Sequence, residues 1–169
     1  HRVDRRQRQM CIRDRNIIAD GRVVTDVLNR SWVMTPHPGE AARLLGASVA
    51  EVEADRFTAV RTLQQKYNAV ILLKGAGTLI CGDQSRPIQV CPYGNSAMAT
   101  AGMGDILSGV IGALIAQGMD LQTATELGCC IHSKAADMAV DELGHRGLVA
   151  SDLLAFFRSI LNQSTFLSE

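Results

Sequence analysis

The chain has 169 residues, 47% hydrophobic, 20% charged and 4% aromatic, with a formal net charge of zero. This is enough apolar sequence for one domain with a buried core, and it excludes a disordered or collagen-like chain. The zero hides an asymmetry, with six Arg against two Asp in residues 1–15 and eleven cationic against fifteen anionic side chains beyond them, which argues against a basic nucleic-acid surface on the folded part.

Residues 1–15 show no helical or strand periodicity and differ sharply in composition from the rest of the chain. They read as a solvated tail or, preferably, as a stretch of foreign origin, with a basic arm for RNA or lipid ranking third. Residues 16–20 begin with the apolar pair Ile17-Ile18, and Trp32-Val33-Met34 is a short β-prone run. Prolines at 36 and 38 stop that strand and force a turn, and helix formers from Glu40 to Leu45 come next, until Gly46. Ser48-Val49-Ala50-Glu51 is a capping-box pattern. It predicts one helix with Val52, Val60 and Leu63 on its apolar stripe, closing near Tyr67-Asn68.

Ala69-Val70-Ile71-Leu72-Leu73 reads as a fully buried parallel strand. Leu79-Ile80-Cys81, a Gly82-Asp83 turn and Ile88-Gln89-Val90 predict a short antiparallel excursion. A helix from about Asp105 to Gln117 is apolar at 106, 107, 110, 111, 114 and 115, with small residues between, so burial on most sides is expected. Asp120 caps a further helix with Leu121, Ala124, Leu127, Ile131, Ala135 and Met138 as its stripe, and Ser151 caps the last, from Leu153 to Leu161. Strands alternating with helices imply layered α/β architecture with a mainly parallel sheet, in one domain.

Cysteines stand at 11, 81, 91, 129 and 130 without C-x-x-C spacing, as expected of reduced thiols. No apolar run is long enough to span a bilayer and no secretory leader is recognisable, so the expected location is cytoplasmic.

The chemistry concentrates in residues 94–105, Gly-Asn-Ser-Ala-Met-Ala-Thr-Ala-Gly-Met-Gly-Asp, which lead straight into the apolar helix. Small residues let the backbone approach a ligand closely, and a helix starting near Gly104 aims unpaired N–H groups at it. Asp105 has the wrong sign to grip phosphate and is instead placed to accept a proton beside a bound anion. Lys74 precedes Gly75 and Gly77 rather than following them, which excludes a Walker loop, and Gly102-x-Gly104 lacks the third glycine of a dinucleotide fingerprint. A lysine and glycine turn after a buried strand, a glycine loop heading a helix, and one Asp remain. Together they can position nucleotide phosphates and deprotonate a hydroxyl. Each residue also has a plainer reading: Asp105 as a helix cap, Lys74 as a solvated strand end, and the glycines as turn formers. His37 stands on a loop between two prolines, which favours a ligand role. Asn95 and Thr100 are further candidates for polar contacts, whereas His132, on a helix stripe, reads as a packed histidine.

Three ordered motifs, Thr35-Pro36-His37-Pro38-Gly39-Glu40, Lys74-Gly75-Ala76-Gly77-Thr78 and residues 94–109, resemble those of the ADP- or ATP-dependent NAD(P)H-hydrate dehydratases, members of the ribokinase-like superfamily. The resemblance covers nearly everything from Trp32 to Leu154. It implies a ribokinase-like three-layer α/β/α fold. It implies repair of hydrated NADH or NADPH by phosphorylation of the ring hydroxyl and loss of phosphate, with ADP or ATP as donor and Mg2+ shielding the phosphates. By the same resemblance Asp105 is the catalytic base and a substrate contact, and His37 binds substrate. Lys74, Gly75, Ala76, Gly77, Thr78 and Gly104 bind the nucleotide. A homo-oligomer, and an epimerase as partner or fused domain, are further implications.

Family members carry additional βα units upstream, which only Ile17-Ile18-Ala19-Asp20-Gly21 faintly resembles here. Residues 16–169 therefore read as a partial domain, incomplete on its N-terminal side, and residues 1–15 as a non-family tail. An apolar sheet edge exposed by that loss would favour self-association. Two alternatives stand beside the dehydratase: a related ribokinase-like small-molecule kinase, and a noncatalytic nucleotide-binding module. Thiazole and pyrimidine kinases usually carry Cys where this chain has Asp105, and sugar kinases lack the Thr-Pro-His-Pro-Gly-Glu motif.

Overall fold

A computed structural model describes residues 8–9, 32–82 and 84–162. In chain order the elements are β1 (Arg8–Gln9), β2 (Trp32–Met34), α1 (Pro38–Leu45), α2 (Val49–Ala54), α3 (Arg56–Tyr67), β3 (Val70–Leu73), β4 (Leu79–Cys81), β5 (Gln89–Val90), α4 (Met103–Ala116), α5 (Leu121–Leu143) and α6 (Leu153–Asn162). One sheet has the order β1-β2-β3-β4-β5. It is parallel from β1 through β3, and β4 and β5 add antiparallel strands in the excursion expected from the sequence.

Successive side chains of a strand point to opposite faces, and here both faces are covered. Trp32, Met34, Ile71, Leu73 and Leu79 pack with Leu44, Val52, Val60 and Leu63 of α1–α3. Val33, Val70, Leu72 and Ile80 pack on the other face with Leu107 and Ile111 of α4 and Cys129 of α5. A third cluster joins Ile131 and Ala135 of α5 to Phe156, Phe157 and Ile160 of α6. The result is the three-layer α/β/α arrangement.

Several local expectations need correction. Arg8–Gln9 forms a strand within a segment where none was expected, because the open edge of β2 offers backbone donors and acceptors to any extended chain, whatever its side-chain period. The rest of residues 1–15, and residues 17–21 with their faint resemblance to an upstream unit, lie outside the described residues. The single helix from 48 to 67 is two helices, broken at Asp55, whose φ of −144° and ψ of 81° leave the helical region while its carboxylate caps α3 through Thr58 N–H. The first helix starts at Pro38, two residues early, since proline at N1 needs no N–H partner. Burial on most sides belongs to α5 rather than α4: Asp105, Gly109, Ala113 and Ala116 are exposed, and only Met103, Leu107, Ile111 and Leu114 of α4 are buried. The last helix opens on a 3-10 turn, Ala150–Asp152, in which Asp152 rather than Ser151 accepts from Val149 N–H at 2.9 Å. Among the described residues no helix is long and apolar enough to cross a membrane, and Cys81, Cys91, Cys129 and Cys130 are free thiols.

Candidate functional site

The parallel strands β2 and β3 end at the same side of the sheet, so the turns after them, carrying His37 and Lys74, are neighbours there. A cavity of about 670 Å³ opens at this point. His37, Lys74, Gly75, Ala76, Gly77, Thr78 and Gly104 all line it, although the sequence holds them up to 67 positions apart. The 94–100 loop forms one wall, and Cys129, His132 and Ser133 of α5 line it too. Asp105 is not among the lining residues. It stands exposed in the first turn of α4, directly after Gly104, with its N–H donating to Gly102 O at 3.1 Å.

His37 is tied down by the helix it precedes. Its Nδ1 accepts from the N–H groups of Gly39 at 3.0 Å and Glu40 at 3.3 Å, and Glu40 Oε2 accepts in return from His37 N–H at 2.8 Å. This is a capping box with histidine as the cap. Because Nδ1 accepts, the neutral ring carries its proton on Nε2, 3.7 Å from Glu40 Oε1. Glu40 Oε2 also lies 3.9 Å from Lys74 Nζ, and the Glu40 side chain is only 1% exposed. A buried carboxylate needs cationic or hydrogen-bonding partners to remain charged, so Glu40 both caps α1 and fixes the Lys74 ammonium. A Cβ at Gly104 would sit 3.3 Å from Lys74 Nζ, so the ammonium lies against the start of α4. In the sequence Glu40 stands out only as the end of its motif, although its place three residues after His37 is the spacing of a capping box.

The wall and lining are equally built. Asp137 of α5 accepts from Gly94 N–H at 3.0 Å and from Asn95 Nδ2 at 2.9 Å. Asn95 Oδ1 accepts from Ala97 N–H at 3.0 Å, so this side chain holds the loop together, while Thr100 lines the cavity. Ser96 Oγ lies 2.9 Å from His145 Nε2, which fastens the loop a second time. His132 is packed, as expected, and 4% exposed, yet it is also part of the cavity wall. Burial pushes its imidazole down to about 4, although a hydrogen bond to the Met103 carbonyl pulls the other way. Its Nε2 is buried with no hydrogen-bond partner among the described residues. A hydrogen bond to Cys91 and burial both push the Cys129 thiol well above the ordinary range.

The arrangement can do two things. One cation and the backbone of two glycine turns can hold an anion, and a carboxylate on an adjoining exposed turn can act on a second molecule outside the cavity. The family model for NAD(P)H-hydrate dehydratase matches residues 16–157. The chain belongs to the NAD(P)H-hydrate dehydratase family. Among dehydratase relatives it is 56% identical over 131 residues to the bifunctional NAD(P)H-hydrate repair enzyme of Coxiella burnetii, covering 78% of this chain and 27% of that protein. An ADP/ATP-dependent NAD(P)H-hydrate dehydratase from Bacillus subtilis, co-crystallized with ATP/Mg2+, superposes with a TM-score of 0.71 at 29% identity, covering 76% of this chain and 46% of that one. A ribokinase-like superfamily protein from Enterococcus faecalis shares the fold at a TM-score of 0.71 and 24% identity, over 90% of this chain and 51% of that one. The ribokinase-like fold expected from the motifs is thus the fold observed. The chain spans about a quarter of the length of the bifunctional relative and about half of the solved dehydratase.

Proposed function

We propose that this chain supplies the nucleotide side of an ADP- or ATP-dependent dehydratase acting on hydrated NADH or NADPH. The observation that carries the reading is the convergence of His37, Lys74, Gly75, Ala76, Gly77, Thr78 and Gly104 on one cavity at the ends of β2 and β3. In this reading the phosphates of ADP or ATP meet Lys74 and the backbone of the 74–78 turn and of Gly104. His37 contacts the substrate. Asp105 takes the proton from the ring hydroxyl as the phosphoryl group arrives, and loss of inorganic phosphate restores the dihydronicotinamide. Phosphorylation turns a poor leaving group into a good one.

Magnesium fits the donor set. It is usually held by one or two carboxylates together with substrate phosphates, and Asp105 offers an exposed carboxylate beside the anion site. Among the described residues no group of three metal-type ligands exists, and magnesium held in this way requires none. When bound, the ion neutralises charge on the phosphates. The proposal takes residues 16–169 as the partial dehydratase domain, in keeping with a family match that begins at residue 16. A fused or partner epimerase domain is part of it, a suggestion supported by a relative named as bifunctional.

The test mixes the chain with hydrated NADH, magnesium and ADP or ATP and follows absorbance of the dihydronicotinamide band. Nucleotide-dependent recovery is expected, with a loss of at least about 100-fold in Asp105→Ala, the lower bound for removing a general base. One observation favours a second reading as a noncatalytic nucleotide-binding module: Asp105 lies outside the cavity wall. Tight ADP binding without recovery would select that reading.

A further inference from the structure

Arg56 is the first residue of α3, and the break at Asp55 carries it to the back of the 74–78 turn. Its guanidinium takes three backbone carbonyls at once. Nη1 donates to Ala76 O, and Nη2 donates to Leu73 O at 3.3 Å and Lys74 O at 3.4 Å. Nε is buried with no hydrogen-bond partner among the described residues.

In a trans peptide the carbonyl of one residue and the N–H of the next point in opposite directions. Carbonyls of Leu73, Lys74 and Ala76 drawn to Arg56 therefore send the N–H groups of Lys74, Gly75 and Gly77 the other way. The first of these donates to Pro36 O at 2.9 Å, in keeping with that direction. Among the described residues nothing accepts from the other two, and both glycines line the cavity. Glycine suits position 75 because φ is +146°, which side chains rarely adopt, and a Cβ there, 2.8 Å from Arg56 Nη2, would have to displace the guanidinium. Thr78 Oγ1 closes the turn by donating to Gly75 O at 3.2 Å.

We propose that Arg56 is a positioning residue for anion binding: by holding three carbonyls on one side of the turn, it presents the N–H groups of Gly75 and Gly77 to phosphate oxygens on the other. The inference rests on the nucleotide reading above and adds to it a residue outside every motif that suggested it. Arginine suits the task and lysine does not, since only a planar fork of donors reaches three divergent carbonyls, whereas an ammonium is a single point of charge. Arg56 contacts no ligand in this scheme. It fixes the peptide planes that do.

The test is calorimetric titration of the full chain, as wild type, Arg56→Lys and Arg56→Gln, with ADP and separately with adenosine, alongside thermal melts. Both variants are expected to bind ADP at least about tenfold more weakly, the worth of one charge-assisted hydrogen bond, while adenosine affinity stays within about twofold. Unchanged ADP affinity in Arg56→Lys would overturn the proposal, because charge without the fork would then suffice. Equal weakening of ADP and adenosine, or loss of a cooperative melt in both variants, would overturn it by assigning Arg56 to general stability. A wild type that does not bind ADP would overturn the nucleotide reading itself, and this inference with it.

Discussion

His132 shows how one buried side chain links the cavity to stability. Its folded-state pKa is depressed from 6.5 to about 4, chiefly by burial, with Lys74 pushing the same way and Cys91 and the Met103 carbonyl opposing. As pH falls the unfolded chain takes up the proton first, so this contribution is complete above about 6.5 and is lost between there and about 4. At pH 5 the loss is roughly 2 kcal/mol relative to pH 7.5, from the pKa gap alone. Urea unfolding at the two pH values should show it, and His132→Gln should remove that part of the difference. An equal pH dependence in the variant would place the titration elsewhere. At this scale the sequence discloses the groups that line the cavity, because glycines and a lysine after an apolar run form a local pattern. Arg56 and Asp137 are not legible in it because each acts on a partner brought near by folding: Arg56 stands 17 to 20 positions from its carbonyls and Asp137 more than 40 from Gly94.

At the scale of elements, propensity and packing disagree in two instructive places. Helix formers run from 49 to 67 with little interruption, yet the chain breaks at Asp55, where capping α3 and anchoring Arg56 behind the turn are both achieved. The apolar α4 keeps one face exposed while the more polar α5 is the enclosed helix, since hydropathy does not say which helix has neighbours on every side. α5 and α4 approach closely: a Cβ at Gly128 would lie 2.7 Å from Ile111 Cγ1. One face of α5 carries Cys129, Ser133 and Asp137 at successive turns, so the same helix lines the cavity and clamps its wall. Asp137→Ala should release that wall. Amides of residues 94–98 should exchange faster with solvent, ADP should bind more weakly, and stability should fall by about 1–3 kcal/mol for two lost hydrogen bonds. Unaltered exchange over 94–98 would show that the Ser96 contact to His145 suffices alone.

For the whole molecule, the cavity lies where separately packed layers meet. The 74–78 turn is rooted in β3 and held from behind by α3, whereas the 94–105 segment is held by α5 and runs into α4 on the opposite face of the sheet. A ligand touching both must couple elements whose hydrophobic contacts are otherwise distinct. Layering is legible in the alternation of strand and helix signals, but this meeting point is not, because it depends on β2 and β3 ending side by side. ADP at about 100 times its Kd should stabilise the chain by roughly 2.7 kcal/mol and raise the melting temperature by several degrees. Hydrogen exchange should slow in both segments together, with midpoints at the same ADP concentration. Protection confined to 74–78 would mean that the nucleotide rests on the sheet layer alone, and the role given to Gly104 would have to be withdrawn.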